Sequence, residues 1–336
     1  MSVCAGCDLG YGNTKLAWSL ERGALLPITR ILPSGSSPIW SLPSKPDGKP
    51  DLCGGTEVTV DGEPWVGGVE SHHLENYTRE HSEAFTSSRE WTALLHAALV
   101  QIGAPKIDIL VAGLPVTEFY AGDKRVKLKA RLEGVHQVRS GQIVEVARAV
   151  IVPQPIGAYA DHVHSSKAAG RSVGGPDHMT LVLDSGHYSV DWVCLLGSSV
   201  RAQSSSSSAQ AGRQILVTTT KHIFEQTGLR VSLDRLEAAV RRGETTMLVG
   251  STELRFTPYL ERGAVQVISQ VLKEVSASIG PQRDQINTVI LTGGGATLFR
   301  PLVSRALPQA ELVIADAPVL GNARGFWATG RGSSNG

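Results

Sequence analysis

Two short segments of this chain carry the residue types that grip phosphate. Asp8-Leu9-Gly10-Tyr11-Gly12-Asn13-Thr14-Lys15 and Asp184-Ser185-Gly186-His187-Tyr188-Ser189-Val190-Asp191 each run from an aspartate into a small-residue turn. Each follows a short apolar run (Val3 to Cys7; Met179 to Leu183) and leads into another (Leu16 to Leu20; Val190 to Leu196). The pattern is a hairpin used twice. Phosphate oxygens need backbone N–H groups that approach closely, and glycine lets the chain come near. Gly10, Tyr11, Gly12, Asn13 and Thr14 are the candidate contacts of the first turn, and Lys15 is the cation that balances their ligand. Asp8 would repel a phosphate directly, so it is expected to act through magnesium and its waters. Asp184 takes the same role in the second turn, beside Ser185 and Gly186. His187 is a further candidate contact, with a solvated loop histidine as the alternative. Alone, either segment reads equally well as an ordinary glycine-rich hairpin; together they read as a duplicated device.

A third segment is Thr292-Gly293-Gly294-Gly295-Ala296. It follows an apolar run, Asn287 to Leu291, and opens a helix. Gly293, Gly294 and Gly295 would let a flat base or ribose lie against the main chain, and the helix N-terminus favours anionic groups.

The elements that must hold these segments follow from periodicity. Strands are expected at Val3 to Leu9, Asn13 to Leu20 and Ala24 to Leu32, then a loose Pro, Ser and Gly-rich stretch from Pro33 to Gly55. Thr56 to Val60 and Glu63 to Val66 flank Asp61-Gly62, a hairpin signal. Glu90 to Ile102 is an amphipathic helix, with Trp91, Leu94, Leu95, Ala98, Leu99 and Ile102 on one stripe. Lys106 to Leu114 and Gln142 to Val152 read as strands, and Lys124 to Leu132 and Pro155 to His164 as helices. The second half repeats the order, with strands at Met179 to Leu183, Ser189 to Leu196 and Ser198 to Gln203. The low-complexity run Ser204 to Ser208 leads into a helix from Gly212 to Thr227. Ser232 is a plausible cap for the next helix. Pro258 to Ile279 is long and amphipathic, with Val265, Ile268, Val271, Leu272, Val275 and Ile279 on one face. Glu311 to Ile314 is a strand, Leu320 to Thr329 a last helix, and the tail from Gly330 is expected to be disordered.

At 336 residues, two domains are expected, each large enough to bury a core. With 41% hydrophobic and 19% charged residues and a formal net charge of +1, nothing demands a nucleic-acid or membrane partner. No apolar stretch reaches the roughly 18 residues of a membrane span. A secretory leader is not evident, so a cytoplasmic location is expected. Cys4 and Cys7 have the spacing of a metal knuckle. In a strand, however, positions three apart face opposite sides, so small buried residues are the expected reading.

The three glycine segments resemble those of the actin-like ATPase superfamily, which also contains sugar kinases and large heat-shock chaperones. Asp8 to Lys15 looks like its first phosphate motif, Asp184 to Asp191 its second and Leu291 to Leu298 its adenosine motif. Val152 to Tyr159 and Pro318 to Gly325 look like its two connecting segments. Gly113 to Tyr120 and Asn322-Ala323-Arg324-Gly325 look most like the ParM (StbA) plasmid-partition branch. The resemblance implies an α/β, actin-like (ribonuclease H-like) duplicated fold, with two domains around a nucleotide cleft. Residues 1–164 would form the first domain, with helix 318–330 returning to it, and residues 165–317 the second. It also implies ATP or ADP with Mg2+ as ligands, GTP being the alternative nucleotide. Asp8, Gln154 and Asp184 would be the catalytic residues, Gln154 orienting the attacking water. Members of that branch often carry Glu there; an amide orients water but is a poor base, so slow hydrolysis is expected. His187-Tyr188 also departs from the family, which usually has small residues at that point.

The implied function is a filament-forming ATPase that drives plasmid segregation. Its partners would be further copies of itself and a DNA-binding adaptor, without direct nucleic-acid contact. Pro33 to Gly55 and Ser71 to Ser88 are candidate filament contacts, with plain solvated loops as the alternative. A small-molecule kinase on the same fold is one competing reading. It needs a base beside the acceptor hydroxyl, for which Asp161 and Asp191 are the candidates. A nucleotide-binding scaffold without turnover is another.

Overall fold

The computed structural model describes residues 3–21, 23–74 and 85–332. The chain forms two compact units, Met1–Val173 with Ala315–Gly336, and Gly174–Ile314. Among the described residues no helix is long and apolar enough to cross a membrane.

The first unit is built on strands β1 (Cys4–Leu9), β2 (Asn13–Ser19) and β3 (Ile28–Pro33), which form an antiparallel meander. β4 (Gly35–Pro38), β5 (Thr56–Val60) and β6 (Glu63–Val69) form a separate three-stranded sheet in the order β4-β6-β5. The stretch expected to be loose after Pro33 therefore contains a paired strand. Helix α1 (Arg89–Ile102) follows, its Ser88 cap accepting a hydrogen bond from the Trp91 amide. Next come β7 (Lys106–Ile107), β8 (Ile109–Leu114), α2 (Val116–Tyr120) and α3 (Lys124–Leu132). β9 (Gly134–Arg139), β10 (Gln142–Val146), β11 (Ala149–Pro153) and α4 (Gln154–Ala168) complete this run. The main sheet has the order β11-β8-β1-β2-β3, with β1, β8 and β11 parallel.

Two expected strands prove to be four. Lys106 to Leu114 and Gln142 to Val152 each leave one sheet for another part-way along. β7 pairs with β10 in a small sheet, while β8 pairs with β11 in the main one. The break is fixed by main-chain bonds at Asp108 and Arg148, to Val3 and Leu110. Both halves of each run are apolar, so composition does not mark the change of sheet. β9, which pairs with β10, was not foreseen.

The main sheet is covered on both faces. Ala5, Cys7, Leu16 and Trp18 pack with α1 residues Trp91, Leu94, Leu95 and Leu99. Cys4, Ala17 and Val111 face Phe326 and Trp327 of the C-terminal helix Gly321–Gly332. Burying those two aromatics contributes about 1.5–3 kcal/mol or more each, enough to seat the helix in the unit. It crosses α4 so closely that a Cβ on Gly157 would sit 2.6 Å from the Asn322 carbonyl, so only glycine fits. The helix continues through Gly330 to Gly332, where a disordered tail was expected; residues 333–336 lie outside the described residues. So does the segment 75–84, within the expected contact loop Ser71 to Ser88.

Cys4 and Cys7 do face opposite sides, in the two separate clusters. Burial pushes the Cys4 thiol up to about 12 and raises Cys7 still further. Neither is poised as a thiolate ligand or nucleophile.

The second unit repeats the plan. β12 (Met179–Ser185) and β13 (Val190–Leu196) form its hairpin, followed by β14 (Ser199–Val200) and β15 (Ser206–Ser208). Helices α5 (Gly212–Thr227) and α6 (Leu233–Arg241), hairpin β16 (Thr246–Val249) and β17 (Thr252–Arg255), and α7 (Thr257–Ile279) come next. β18 (Thr288–Thr292), α8 (Ala296–Ala306) and β19 (Glu311–Ile314) end it. The sheet order is β14-β13-β12-β18-β19, and β15 pairs with β13. Three residues of the serine run extend the sheet. Two expectations are corrected. Ser232 makes no side-chain cap bond. Val265 is 53% exposed, since the buried stripe of α7 runs through Ala264, Val267, Ile268, Val271 and Val275.

Candidate functional site

Each unit carries one candidate phosphate turn at the carboxyl end of its parallel strands, where open α/β sheets bind ligands. In the first unit the β1–β2 register sets Asp8 opposite Lys15. Asp8 is 3% exposed. Its Oδ2 accepts from Lys15 Nζ at 3.0 Å and its Oδ1 from Gln154 Nε2 at 3.3 Å. The buried carboxylate is thus neutralised by a cation and held by an amide. Gln154 stands where β11 becomes α4. A Cβ on Gly113 would lie 2.7 Å from its Cγ, so that glycine makes room for the glutamine side chain.

The turn closes through Gly10 N–H donating to the Asn13 carbonyl at 3.2 Å. Ser34 holds it from behind: its hydroxyl donates to the Gly10 carbonyl at 2.6 Å and its amide to the Gly12 carbonyl at 3.2 Å. A Cβ on Gly10 would come within 3.1 Å of Lys15 Nζ, so glycine keeps the ammonium accessible. The side chain of Thr14 plays no part in the turn's polar face, which leaves its amide as the candidate contact. Strand alternation turns its side chain to the opposite face from Asp8 and Lys15. There it is fully buried and its hydroxyl lacks a hydrogen-bond partner.

The turn of the second unit uses the same closure. Gly186 N–H donates to the Ser189 carbonyl at 3.0 Å, and a Cβ on Gly186 would lie 2.8 Å from that oxygen. The α5 amides of Gly212 and Arg213 donate to the Gly186 and His187 carbonyls, which seats the turn on a helix N-terminus. Opposite Asp184, however, the register places Asp191. The two carboxylates are 5% and 1% exposed. Asp191 is satisfied by hydroxyls, accepting from Ser189 at 2.5 Å and from Ser207 of the serine run. Like charges directly opposite each other on a sheet are unfavourable. A cation beside Asp184 would relieve that, and carboxylate-plus-phosphate ligation with retained waters suits magnesium.

The glycines after β18 pack on this turn. Gly293 has φ +84°, and a Cβ there would lie 2.6 Å from Asp184 Oδ1. Gly295 N–H donates to the Ser185 carbonyl at 3.2 Å, and its Cβ would meet Ser185 Oγ at 2.8 Å. Ser185 Oγ donates in turn to the Thr292 carbonyl. Gly294 faces open space, with nothing within 4 Å of a Cβ. Gly293 and Gly295 thus fit the turn, while Gly294 presents the bare surface a base or ribose needs.

His187 is not a solvated loop residue. Its side chain is 14% exposed, and its Nδ1 lies 3.5 Å from Glu237 Oε1. Arg241 approaches the same oxygen at 3.5 Å. The buried Glu237 had not been foreseen. Its signal is a charged residue on the apolar stripe of α6, four positions after Leu233 and beside Leu236. Ser34 was missed too, and nothing in its sequence context marks it; Gly113 was noted only as the start of a segment resembling the ParM branch, not as a neighbour of Gln154. Asp161, offered as a kinase base, is held by Arg324 in a bidentate pair at 2.9 and 2.6 Å. Among the described residues no group of three or more His, Cys, Asp or Glu could hold a metal ion by itself.

Two family models match. Residues 6–157 match the N-terminal domain of actin-like proteins, and residues 182–304 the C-terminal domain of archaeal MreB-like actin homologues. Among curated proteins no sequence matches. An archaeal actin homologue aligns with 17% identity over 99% of both chains at a TM-score of 0.77. Its complex with ADP gives 0.74, again with 17% identity and 99% of each chain. The subunit of a 15-stranded ParM filament from Clostridium botulinum aligns with 16% identity, over 98% of this chain and 99% of that one, at 0.76. At such identities the likeness to solved structures shows the fold, which is α/β and actin-like.

Proposed function

Because the chain belongs to the actin-like superfamily, we propose that it is a nucleotide-dependent filament-forming ATPase that acts in the cytoplasm and drives plasmid segregation in the manner of ParM. The observation that carries this reading is the repeated turn. Gly10 and Gly186 close their hairpins by the same main-chain bond, each beside a buried aspartate. Two phosphate cradles in one chain suit one nucleotide that engages both.

Lys15 and the turn amides of the first unit balance and orient the phosphates. The second turn adds its own amides, and Gly294 offers the flat surface for the adenosine part. The buried Glu237 carboxylate is suited to accept hydrogen bonds from ribose hydroxyls. Asp184 is the first candidate to hold magnesium, with Asp8 contributing through water because Lys15 already occupies it. When bound, the metal neutralises charge on the phosphates. Gln154 donates its amide nitrogen to Asp8, which leaves its carbonyl oxygen to accept from a water and aim it at the terminal phosphate. An amide takes no proton, so the proton leaves to a phosphate oxygen or to solvent and turnover is slow. Head-to-tail contacts that do not close generate a filament, and a DNA-binding adaptor links it to its cargo.

The test is titration with adenine nucleotides, with phosphate release and pelleting measured on the same preparation. Tight binding, slow release of phosphate and nucleotide-dependent pelleting are expected. Transfer of the phosphate to a sugar or other metabolite, with no pelleting, would favour the kinase.

A further inference from the structure

The crest of the first phosphate turn is a tyrosine between two glycines. Ser34 fixes the carbonyls of Gly10 and Gly12. Tyr11 is the one residue between those glycines, so its side chain adds a second brace at the crest. Its ring stacks on Phe85, with centroids 4.6 Å apart and planes inclined by 27°.

Phe85 is a fixed platform. It is fully buried and opens the short turn Phe85–Ser87 that leads into α1. Arg131 clamps this turn by donating to the Thr86 and Ser88 carbonyls and to Thr92 Oγ1. Its guanidinium also lies over the Trp91 ring, 4.8 Å from the centroid. Trp91 and Phe85 belong to the core shared by α1 and the main sheet. The stack therefore ties a glycine-flanked turn, which has little stiffness of its own, to a well-anchored helix start.

We propose that Tyr11 is a positioning residue for the phosphate turn, acting through Phe85, and that the stack passes nucleotide occupancy on to the N-terminal end of α1. The inference rests on the nucleotide reading above. A turn that must be ordered before its amides converge on phosphate binds more weakly by the fraction of time it is disordered. Coupling is reciprocal, so nucleotide must in turn steady residues 85–92.

The experiment compares the full chain with Tyr11→Phe, Tyr11→Leu, Phe85→Leu, Phe85→Tyr and the Tyr11→Leu/Phe85→Leu double variant. Magnesium-ADP affinity and amide hydrogen exchange of residues 85–92 are measured on each, with thermal melts to confirm folding. Stacked pairs of this kind are worth about a 2- to 10-fold change in an equilibrium. Tyr11→Leu and Phe85→Leu should each lose affinity by about that factor, and the double variant should lose no more than the worse single one. Tyr11→Phe and Phe85→Tyr keep the stack and should bind within about 2-fold of wild type. Saturating nucleotide should slow exchange at 85–92 in the wild type and not in Phe85→Leu, a difference that simple core packing would not produce. Additive losses, a Tyr11→Phe as weak as Tyr11→Leu, or unchanged binding and protection in Phe85→Leu would overturn the stack alone. A wild type that binds no adenine nucleotide would overturn the nucleotide reading and this inference with it.

Discussion

The two phosphate hairpins share a backbone and differ in charge. Both close by a glycine amide donating three residues ahead, and both end their first strand in a buried aspartate. Across the ladder, Asp8 meets Lys15 whereas Asp184 meets Asp191. The first hairpin therefore carries its own counter-ion. The second is two carboxylates steadied by serine hydroxyls, and it gains from an added cation. A duplicated turn thus carries two charge arrangements: one arm holds a fixed ammonium beside its aspartate, and the other holds two carboxylates that a cation would relieve. One of the low-complexity serines, Ser207, serves the second arm by donating to Asp191.

The largest effect should come from the metal-seeking arm. Asp184→Ala is expected to lower phosphate release by two orders of magnitude or more, the scale for losing a group that stabilises charge in the transition state. Near wild-type release in excess magnesium would remove Asp184 from the site and dissolve the division between the arms.

The glycines sharpen the comparison next. Gly294→Val should fold normally and bind adenine nucleotide roughly 10-fold more weakly or worse, because its side chain enters open space that the ligand needs. Gly293→Ala should instead cost stability, about 1 kcal/mol or more, from its positive φ and its approach to Asp184. A fluorescent nucleotide titration paired with thermal melts separates the two. Unchanged affinity in folded Gly294→Val would reduce the triple glycine to a helix-opening turn.

Gln154→Ala probes the first arm. Affinity should hold while hydrolysis slows by about 10-fold or more. Loss of affinity and rate in equal measure would mean that Gln154 chiefly supports Asp8. The smallest expected effect is that of Asp191→Asn. Without magnesium it should raise stability by about 0.2–1 kcal/mol, the worth of a cross-strand pair. The stabilisation conferred by magnesium and nucleotide should shrink. No change on either count would show that the facing carboxylates do not repel, and that the second arm has no special need of a cation.

The hairpins were legible because strand, glycine turn and strand are local patterns, and Asp8, Lys15 and Asp184 lie within them. The cross-strand identity of Asp191 was in plain sight too, but its meaning needed the register. Glu237 was hidden because a helix 50 residues further along the chain brings it to His187, and no local period reports that approach. The breaks at Asp108 and Arg148 escaped notice for a related reason. An apolar run looks the same whether it stays in one sheet or crosses into another. The place of Ser204 to Ser208 was not legible from composition either: edge pairing with β13 and a hydroxyl on Asp191 give three of its residues a place in the sheet.

The account turns on whether nucleotide controls assembly. The most direct measurement is light scattering of the purified chain, with electron microscopy, on adding magnesium-ATP. Under the proposed function the terminal phosphate should favour the conformation that associates, and a differential of a few kcal/mol per subunit is enough to shift the assembly strongly. Scattering should rise above a critical concentration, filaments should appear, and the signal should decay as ATP is consumed, later in Gln154→Ala than in the wild type. A chain that remains monomeric at high concentration, with ATP and with a non-hydrolysable analogue bound, would contradict it.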